Sequence, residues 1–467
     1  MTMTTTTTST TTTTPSTGHS SRTLSDPQRV LRQRYQEVRQ RTLELIGPLS
    51  AEDCQVQSME SASPAKWHLA HTTWFFETFL LKPHLSTYEV KHPQYNFMYN
   101  SYYNLIGERV ARPLRGMMTR PSLDDVKDYR AHIDRAMLRL FDQPLEEKVL
   151  VELGQLMQIG LNHEQQHQEL LLTDLKHLLS LNPLHPAYVE PERSSAVTHA
   201  STEDDLPLGW MTFDSEDVAE FGVDLADMND PLRGAFAFDN EGPRHRRLVH
   251  PFAIATRPVT CGEFMQFIED GGYRRAELWL AEGWATVEAE GWTQPFYWTR
   301  DPDHADGWLH FTLRGQQPVR LDEPLTHISL WEADAYARWA GARLPEEFEW
   351  EHAARTLPVE GHLLDRMPLH PPPISRDEAE RARDTETPVR MFGDSWEWTR
   401  SQYSPYPGYA PAPGAIGEYN GKFMSNQFVL RGGSIATPQS HLRLTYRNFF
   451  PGGARWQFAG FRLARDR

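Results

Sequence analysis

The sequence predicts an α+β multidomain chain: a four-helix bundle followed by a mixed domain of little regular structure. From Pro27 to about Leu181, apolar residues recur at helical spacing between recognisable start and stop signals. After about Leu206 that periodicity gives way to Gly, Pro, Trp and short apolar pieces. The size fits, because 467 residues with 39% hydrophobic and 11% aromatic content can build two or three cores. The chain divides into a Thr/Ser-rich tail at 1–24, the bundle at 27–185, a linker at 186–206 and the mixed domain at 207–467.

Taken in order, the tail has too little apolar surface to bury and is expected to be disordered. The first helix is predicted from Pro27 to Ile46, before Gly47-Pro48. The second takes Ser63 as N-cap with Pro64 in its first turn and reaches Leu81, before Lys82-Pro83. A third begins at Ser122-Leu123-Asp124-Asp125, which has the form of a capping box, and runs to Phe141. The fourth starts near Leu145, carries Val149, Leu153, Leu156, Ile159, Leu170 and Leu178 as its apolar positions, and stops before Pro183. Past the Pro/Ser/Thr/acid-rich linker, helices are predicted only at Cys261–Glu269 and Trp331–Ala340.

Composition narrows the function. No run of about 18 apolar residues occurs, and threonine stands where a signal peptide would carry its apolar segment, so the expected location is cytoplasmic, away from membranes. Cys54 and Cys261 are too few and too far apart for a disulfide framework or a cysteine metal site. A formal charge of −16 argues against nucleic acid and for a small-molecule substrate.

The chemistry concentrates in Leu161-Asn162-His163-Glu164-Gln165-Gln166-His167-Gln168-Glu169. Two imidazoles four residues apart on a helix point the same way and can share one metal ion. A lone histidine on an apolar helix is more often a satisfied core residue than a ligand; the paired spacing reverses those odds. A third ligand from another helix would complete a facial set, and His71, in Trp67-His68-Leu69-Ala70-His71-Thr72-Thr73-Trp74, is the leading candidate. The same run matches H-E-x-x-H, the zinc-peptidase motif in which the glutamate is the general base. Leu170 and Thr173 stand where one peptidase class needs glycine and histidine, and the alternative third ligands, Glu190 and Glu192, lie in a proline-containing exit from the helix.

The second half carries Pro258-Val259-Thr260, Ser329-Leu330-Trp331-Glu332-Ala333, Ala342-Arg343-Leu344-Pro345, Glu347-Phe348-Glu349-Trp350-Glu351, Trp396-Glu397-Trp398-Thr399, Arg431-Gly432-Gly433-Ser434 and Gly460-Phe461-Arg462. In that order these pieces resemble the formylglycine-generating-enzyme (sulfatase-modifying-factor) domain, a C-type-lectin-like fold. The first half resembles a DinB-like four-helix bundle, and residues 27–467 together resemble the sulfoxide synthases of ergothioneine biosynthesis. The resemblance implies an Fe(II) enzyme that uses O₂ to join a thiol to the imidazole C2 of hercynine, giving a sulfoxide. It implies His71, His163 and His167 as iron ligands, with His68 a neighbour. Neutral imidazoles suit that metal, and three of them leave open positions.

Asn100-Ser101-Tyr102-Tyr103 resembles the paired tyrosines of one subgroup, which makes Tyr102 and Tyr103 candidate acids, since a phenol is protonated at neutral pH. Gln166 resembles the residue that helps hold hercynine. Asn448 and Phe449, in Tyr446-Arg447-Asn448-Phe449-Phe450, would face its trimethylammonium, which aromatic faces attract. Phe450 stands where the glutamylcysteine-using branch has an acid, so L-cysteine is the expected donor, with γ-glutamylcysteine, another thiol or a selenium donor as alternatives. Arg112 and Arg115 could clamp a donor carboxylate bidentately. A zinc peptidase and a noncatalytic binding module on the lectin-like scaffold are the competing classes.

Overall fold

A computed structural model describes residues 26–190, 206–228, 235–301, 303 and 307–467. The tail at 1–24 and most of the 186–206 linker lie outside the described residues. The first half contains α1 (Asp26–Ile46), α2 (Ala51–Gln55), α3 (Ala65–Phe76), α4 (Lys82–His84), α5 (Tyr95–Tyr99), α6 (Leu123–Phe141) and α7 (Glu147–Ser180). The long helices α1, α3, α6 and α7 form the bundle, with α3 packed between α6 and α7 and α1 along α7. Their contact faces are the apolar rows: Leu31, Tyr35 and Val38 of α1 meet Val126, Ile133 and Met137 of α6 and Leu153, Met157 and Leu161 of α7 in one core. Gly160 lets α3 come close, because a Cβ there would stand 2.8 Å from Phe76 and 2.9 Å from Phe75.

Capping chemistry sets the boundaries where side chains reach them. Ser122 and Asp125 make a reciprocal capping box at the start of α6, and Ser50 and Asp53 make another on α2. The expected Ser63 cap on α3 is absent. Pro64 occupies the cap position without a side-chain bond, and the Ser63 amide instead donates to Asp174 of α7 at 2.8 Å. Nor does α3 end cleanly: it widens into a π-helical turn over Glu77–Leu81, and Lys82-Pro83 then sit in a further helical turn.

The second half is built on four small sheets. These use β1 (Trp210–Phe213), β2 (Asp217–Phe221), β3 (His245–Val249), β4 (Phe252–Ala255), β5 (Trp298–Arg300), β6 (Trp308–Thr312), β7 (Gly315–Pro318), β8 (Trp396–Gln402), β9 (Phe428–Arg431), β10 (Asn448–Phe450), β11 (Ala459–Gly460) and β12 (Ala464–Asp466). The sheet orders are β1-β4-β12, β2-β3, β5-β6-β7 and β10-β9-β8-β11; in the last, β11 alone runs parallel to its neighbour. Helices α8 (Leu225–Met228), α9 (Cys261–Glu269), α10 (Ala281–Glu290), α11 (Leu330–Trp339), α12 (Glu347–Ala354) and α13 (Arg376–Asp384) accompany them. The region is thus more regular than the two helices expected from its sequence. The missed α12 is short and acidic, yet its acids are inside: Glu347 pairs with Arg447, Glu349 with Arg343 and Glu351 with Arg431.

The two halves share α7. Glu169 accepts from Trp396 Nε1 at 2.6 Å, Ser434 Oγ at 2.6 Å and Thr437 Oγ1 at 2.7 Å, and Gln165 donates to Ser440 Oγ at 2.7 Å. Tyr188, at the start of the expected linker, is buried with its hydroxyl on the Leu45 carbonyl, so the exit from α7 is packed. Among the described residues no helix is long and apolar enough to cross a membrane.

Candidate metal centre and substrate pocket

His163 and His167 project from one face of α7, and His71 projects toward them from α3. The three ring centroids form a nearly regular triangle with sides of 4.8, 4.8 and 4.7 Å. One nitrogen of each lies within 4.8 Å of the others. His71 Nε2 and His163 Nε2 are 3.1 Å apart. Two nitrogens each about 2.1 Å from one ion, at a right angle, stand about 3.0 Å apart, so the spacing suits a metal.

Surrounding groups fix the tautomers. His71 Nδ1 is 2.5 Å from the Tyr99 carbonyl, which can only accept, so the proton sits on Nδ1 and Nε2 keeps its lone pair. His68 Nε2 is 3.0 Å from Asp174 Oδ2, and His68 Nδ1 is 2.8 Å from His167 Nδ1. With the carboxylate accepting, the chain of donors runs His167 to His68 to Asp174 and leaves His167 Nε2 free. His163 Nδ1 is the exception, buried without a partner among the described residues. Burial pushes the His71 and His167 pKa values well below the ordinary range and that of His163 to about 3, so all three are held neutral, as ligation requires. Trp67 and Trp74 stack on His71 at 4.5 and 5.5 Å, and Phe75 packs on His163 at 4.9 Å. The donor set, its tautomers and its spacing fit a bound metal. On that geometry Asp174→Asn is expected to weaken metal binding about 10–100-fold, measured by competition with a chromogenic chelator.

Glu164 turns the other way. Its carboxylate receives Arg39 Nη1 at 2.9 Å, Thr42 Oγ1 at 2.6 Å and Arg130 Nη2, all inside the bundle. Burial raises its pKa, but the two arginines outweigh that and hold it at about 2. A carboxylate so paired has neither the reach nor the basicity for a peptidase base. Glu190 stands outside the histidine cluster, and Glu192 lies outside the described residues.

A cavity of about 590 Å³ opens beside the histidines, between α7 and the second half. His163, His167, Tyr102, Gln166, Arg112, Arg115, Asn448, Phe449 and Phe450 all line it; His71 and Tyr103 stand behind that wall. Tyr103 is fully buried against Trp74, Phe75 and Phe79, with Tyr102 stacked on it at 4.7 Å. Burial raises the pKa of both phenols, keeping them protonated. Arg115 is buried, lies 3.5 Å over the Trp67 ring and donates to Ser63 Oγ at 2.9 Å and Ser101 Oγ at 3.0 Å. Among the described residues no carboxylate bridges it, and burial followed by neighbouring Arg112 brings its pKa down to about 9. A guanidinium so placed is a receptor for an anion.

Gln166 donates to the Tyr446 hydroxyl at 2.6 Å and accepts from Tyr419, so its amide bridges two phenols instead of standing free. Phe449 has one face on Tyr403 at 4.1 Å, with Phe423 at 5.9 Å. Tyr419 was not singled out from the sequence. It lies 5.7 Å from the His163 ring and 6.1 Å from Tyr102, delivered by a loop with no periodicity to mark it. Arg447 also lines the cavity, but its guanidinium is committed to Glu347 at 2.8 Å.

A helical bundle carrying a histidine cluster that could hold a metal, with a mixed domain packed against it, makes a two-domain architecture. Family models match both parts: the DinB superfamily over residues 34–171, and the sulfatase-modifying factor enzyme 1-like domain over 220–366 and 389–467. The chain is 32% identical to the hercynine oxygenase of Mycolicibacterium thermoresistibile, over 92% of this chain and 93% of that one. It is 31% identical to that of Mycolicibacterium smegmatis, over 92% and 97%. Against the hercynine oxygenase of Mycobacterium tuberculosis it is 36% identical, over 52% of this chain and 58% of the relative. The chain belongs to the hercynine oxygenase family and is an enzyme of that type.

Proposed function

We propose that the protein is an iron(II)-dependent sulfoxide synthase that joins L-cysteine to C2 of hercynine. The balance is one C–H and one S–H lost, one C–S bond and one S=O bond formed, and O₂ consumed with release of one water. His71, His163 and His167 would hold the iron, which supplies the O₂ chemistry that no protein side chain can. The convergence of three neutral, oriented imidazoles on the edge of a 590 Å³ cavity carries the reading.

The remaining residues have roles their surroundings suit. Arg115, buried and without an acid partner among the described residues, binds the carboxylate of the sulfur donor, and Arg112 at the cavity rim adds positive charge. Asn448 and the aromatic walls of Phe449 and Phe450 receive the trimethylammonium end of hercynine. Gln166, clamped by Tyr419 and Tyr446, holds the imidazole end in place. Tyr102 faces the cavity and keeps its proton, so it is placed to protonate reduced oxygen; Tyr103 buttresses it. Tyr102→Phe is expected to lower turnover about 10²–10⁴-fold with iron content unchanged, read from single-turnover rates and metal analysis.

The test is product mass after incubating iron-loaded protein with hercynine, O₂ and equal cysteine and γ-glutamylcysteine. Hercynylcysteine sulfoxide as the main product, with O₂ uptake only when both substrates are present, is expected. A dominant γ-glutamylcysteine adduct would replace the donor, and absence of uptake with any thiol or selenol would end the reading.

A further inference from the structure

We propose that the second half carries a metal site of its own, in which His310, Glu323 and His370 hold a divalent transition cation of the zinc class. One donor atom of each lies within 4.8 Å of the other two. His370 Nε2 is 3.0 Å from Glu323 Oε2, and His310 Nε2 is 3.9 Å from the same oxygen. The imidazole rings stand 4.6 Å apart at 81°. Two donors about 2.0–2.1 Å from a tetrahedral ion are about 3.4 Å apart, between these two distances.

The backbone holds the three in place. His310 sits on β6, the central strand of its sheet. The Glu323 carbonyl accepts from the Cys261 amide at 2.9 Å, and the Asp322 carbonyl accepts from Ile374 at 2.8 Å, which ties that loop to the segment carrying His370.

The His310 ring is what a plain hydrogen-bonded trio leaves unexplained. It is 6% exposed, and its Nε2 stands 3.9 Å from Glu323 Oε2, beyond hydrogen-bond distance of the carboxylate it faces. A shared ion would bring that nitrogen and the carboxylate oxygen together at coordination distance, which a direct hydrogen bond does not do here. Of the nearby cations, Lys176 is hydrogen-bonded to His327 at 2.7 Å, and burial lowers its pKa, which reduces the charge it presents to the ion. Arg320, 3.8 Å from the other oxygen of Glu323, is paired with Asp322 at 3.0 Å. The His370 side chain is 15% exposed and gives an ion a way in. Two imidazoles and one carboxylate, with a fourth position open, form a zinc ligand set. His310 and Glu323 lie within the matched 220–366 range, and His370 stands in the 367–388 segment that the match does not cover.

The inference is independent of the iron reading and is tested by equilibrium dialysis of metal-free full-length protein against zinc, with bound metal counted by mass spectrometry. His310→Gln together with His370→Gln is expected to lower bound zinc by one equivalent and to shrink the zinc-induced rise in unfolding temperature. Where the double variant does not fold, His370→Gln alone, at the more exposed ligand, serves with the same readout. Equal zinc in wild type and variant overturns the proposal. A shortfall at His71, His163 and His167 would appear in both proteins alike, so the two readings fail separately.

Discussion

Alanine at His163 is expected to give a folded protein that holds no stoichiometric iron and forms no sulfoxide. His163 Nε2 faces His71 Nε2 at 3.1 Å, so its removal opens the set at its tightest point and leaves His71 and His167 on opposite helices. Two imidazoles bind a ferrous ion far more weakly than three. The fold should tolerate the change, because among the described residues His163 Nδ1 has no partner and the deletion leaves only His71 Nε2 without its neighbour. Metal added to wild type at 100 times its dissociation constant should raise stability by about 2.7 kcal/mol, and the variant should gain almost none. Thermal unfolding with and without iron, beside metal analysis and an oxygen electrode, measures all three quantities. Retention of full iron and turnover would remove His163 from the ligand set.

What could be read from the sequence divides by range. The spacing of His163 and His167 is a property of one helix and needs nothing beyond 3.6 residues per turn. The capping box at Ser122 is equally local, and α6 runs from Leu123 to Phe141, as its start signal and apolar pattern indicate. Ser63 shows the limit of such reasoning: its cap role was plausible locally, but Asp174, 111 residues away, takes its amide. Helix α12 escaped notice for a related reason. Its glutamates are each buried against an arginine, and two of those arginines, Arg431 and Arg447, come from far along the chain. The cavity follows the same rule. Gln166 was placed by its position beside His167, whereas Tyr419, which bonds it, arrives from a loop 253 residues later. The roof of the pocket depends on how two halves dock, and no periodicity encodes that docking.

Glu164 lies between the two metal-side histidines in sequence, yet its largest effect is expected on stability. Glu164→Ala should lower the unfolding free energy by about 3–5 kcal/mol while leaving turnover of the folded fraction largely intact. The carboxylate is fully buried and neutralises Arg39 and Arg130, which are 3% and 1% exposed. Arg39 keeps Asp134 at 2.7 Å, but among the described residues Arg130 has no other carboxylate, so the substitution leaves it a buried unpaired cation. Thr42 Oγ1 loses its acceptor as well. The sign of the pH dependence follows from the lowered pKa: the contribution is complete above the ordinary value of 4.5 and is lost as pH falls toward about 2. Wild type should therefore lose this increment between those limits, and the variant should show no such loss. Urea unfolding at pH 7 and across the acid range measures both effects. A peptidase base would give the opposite result, with catalysis lost and stability little changed; a variant as stable as wild type would contradict the ion-pair account.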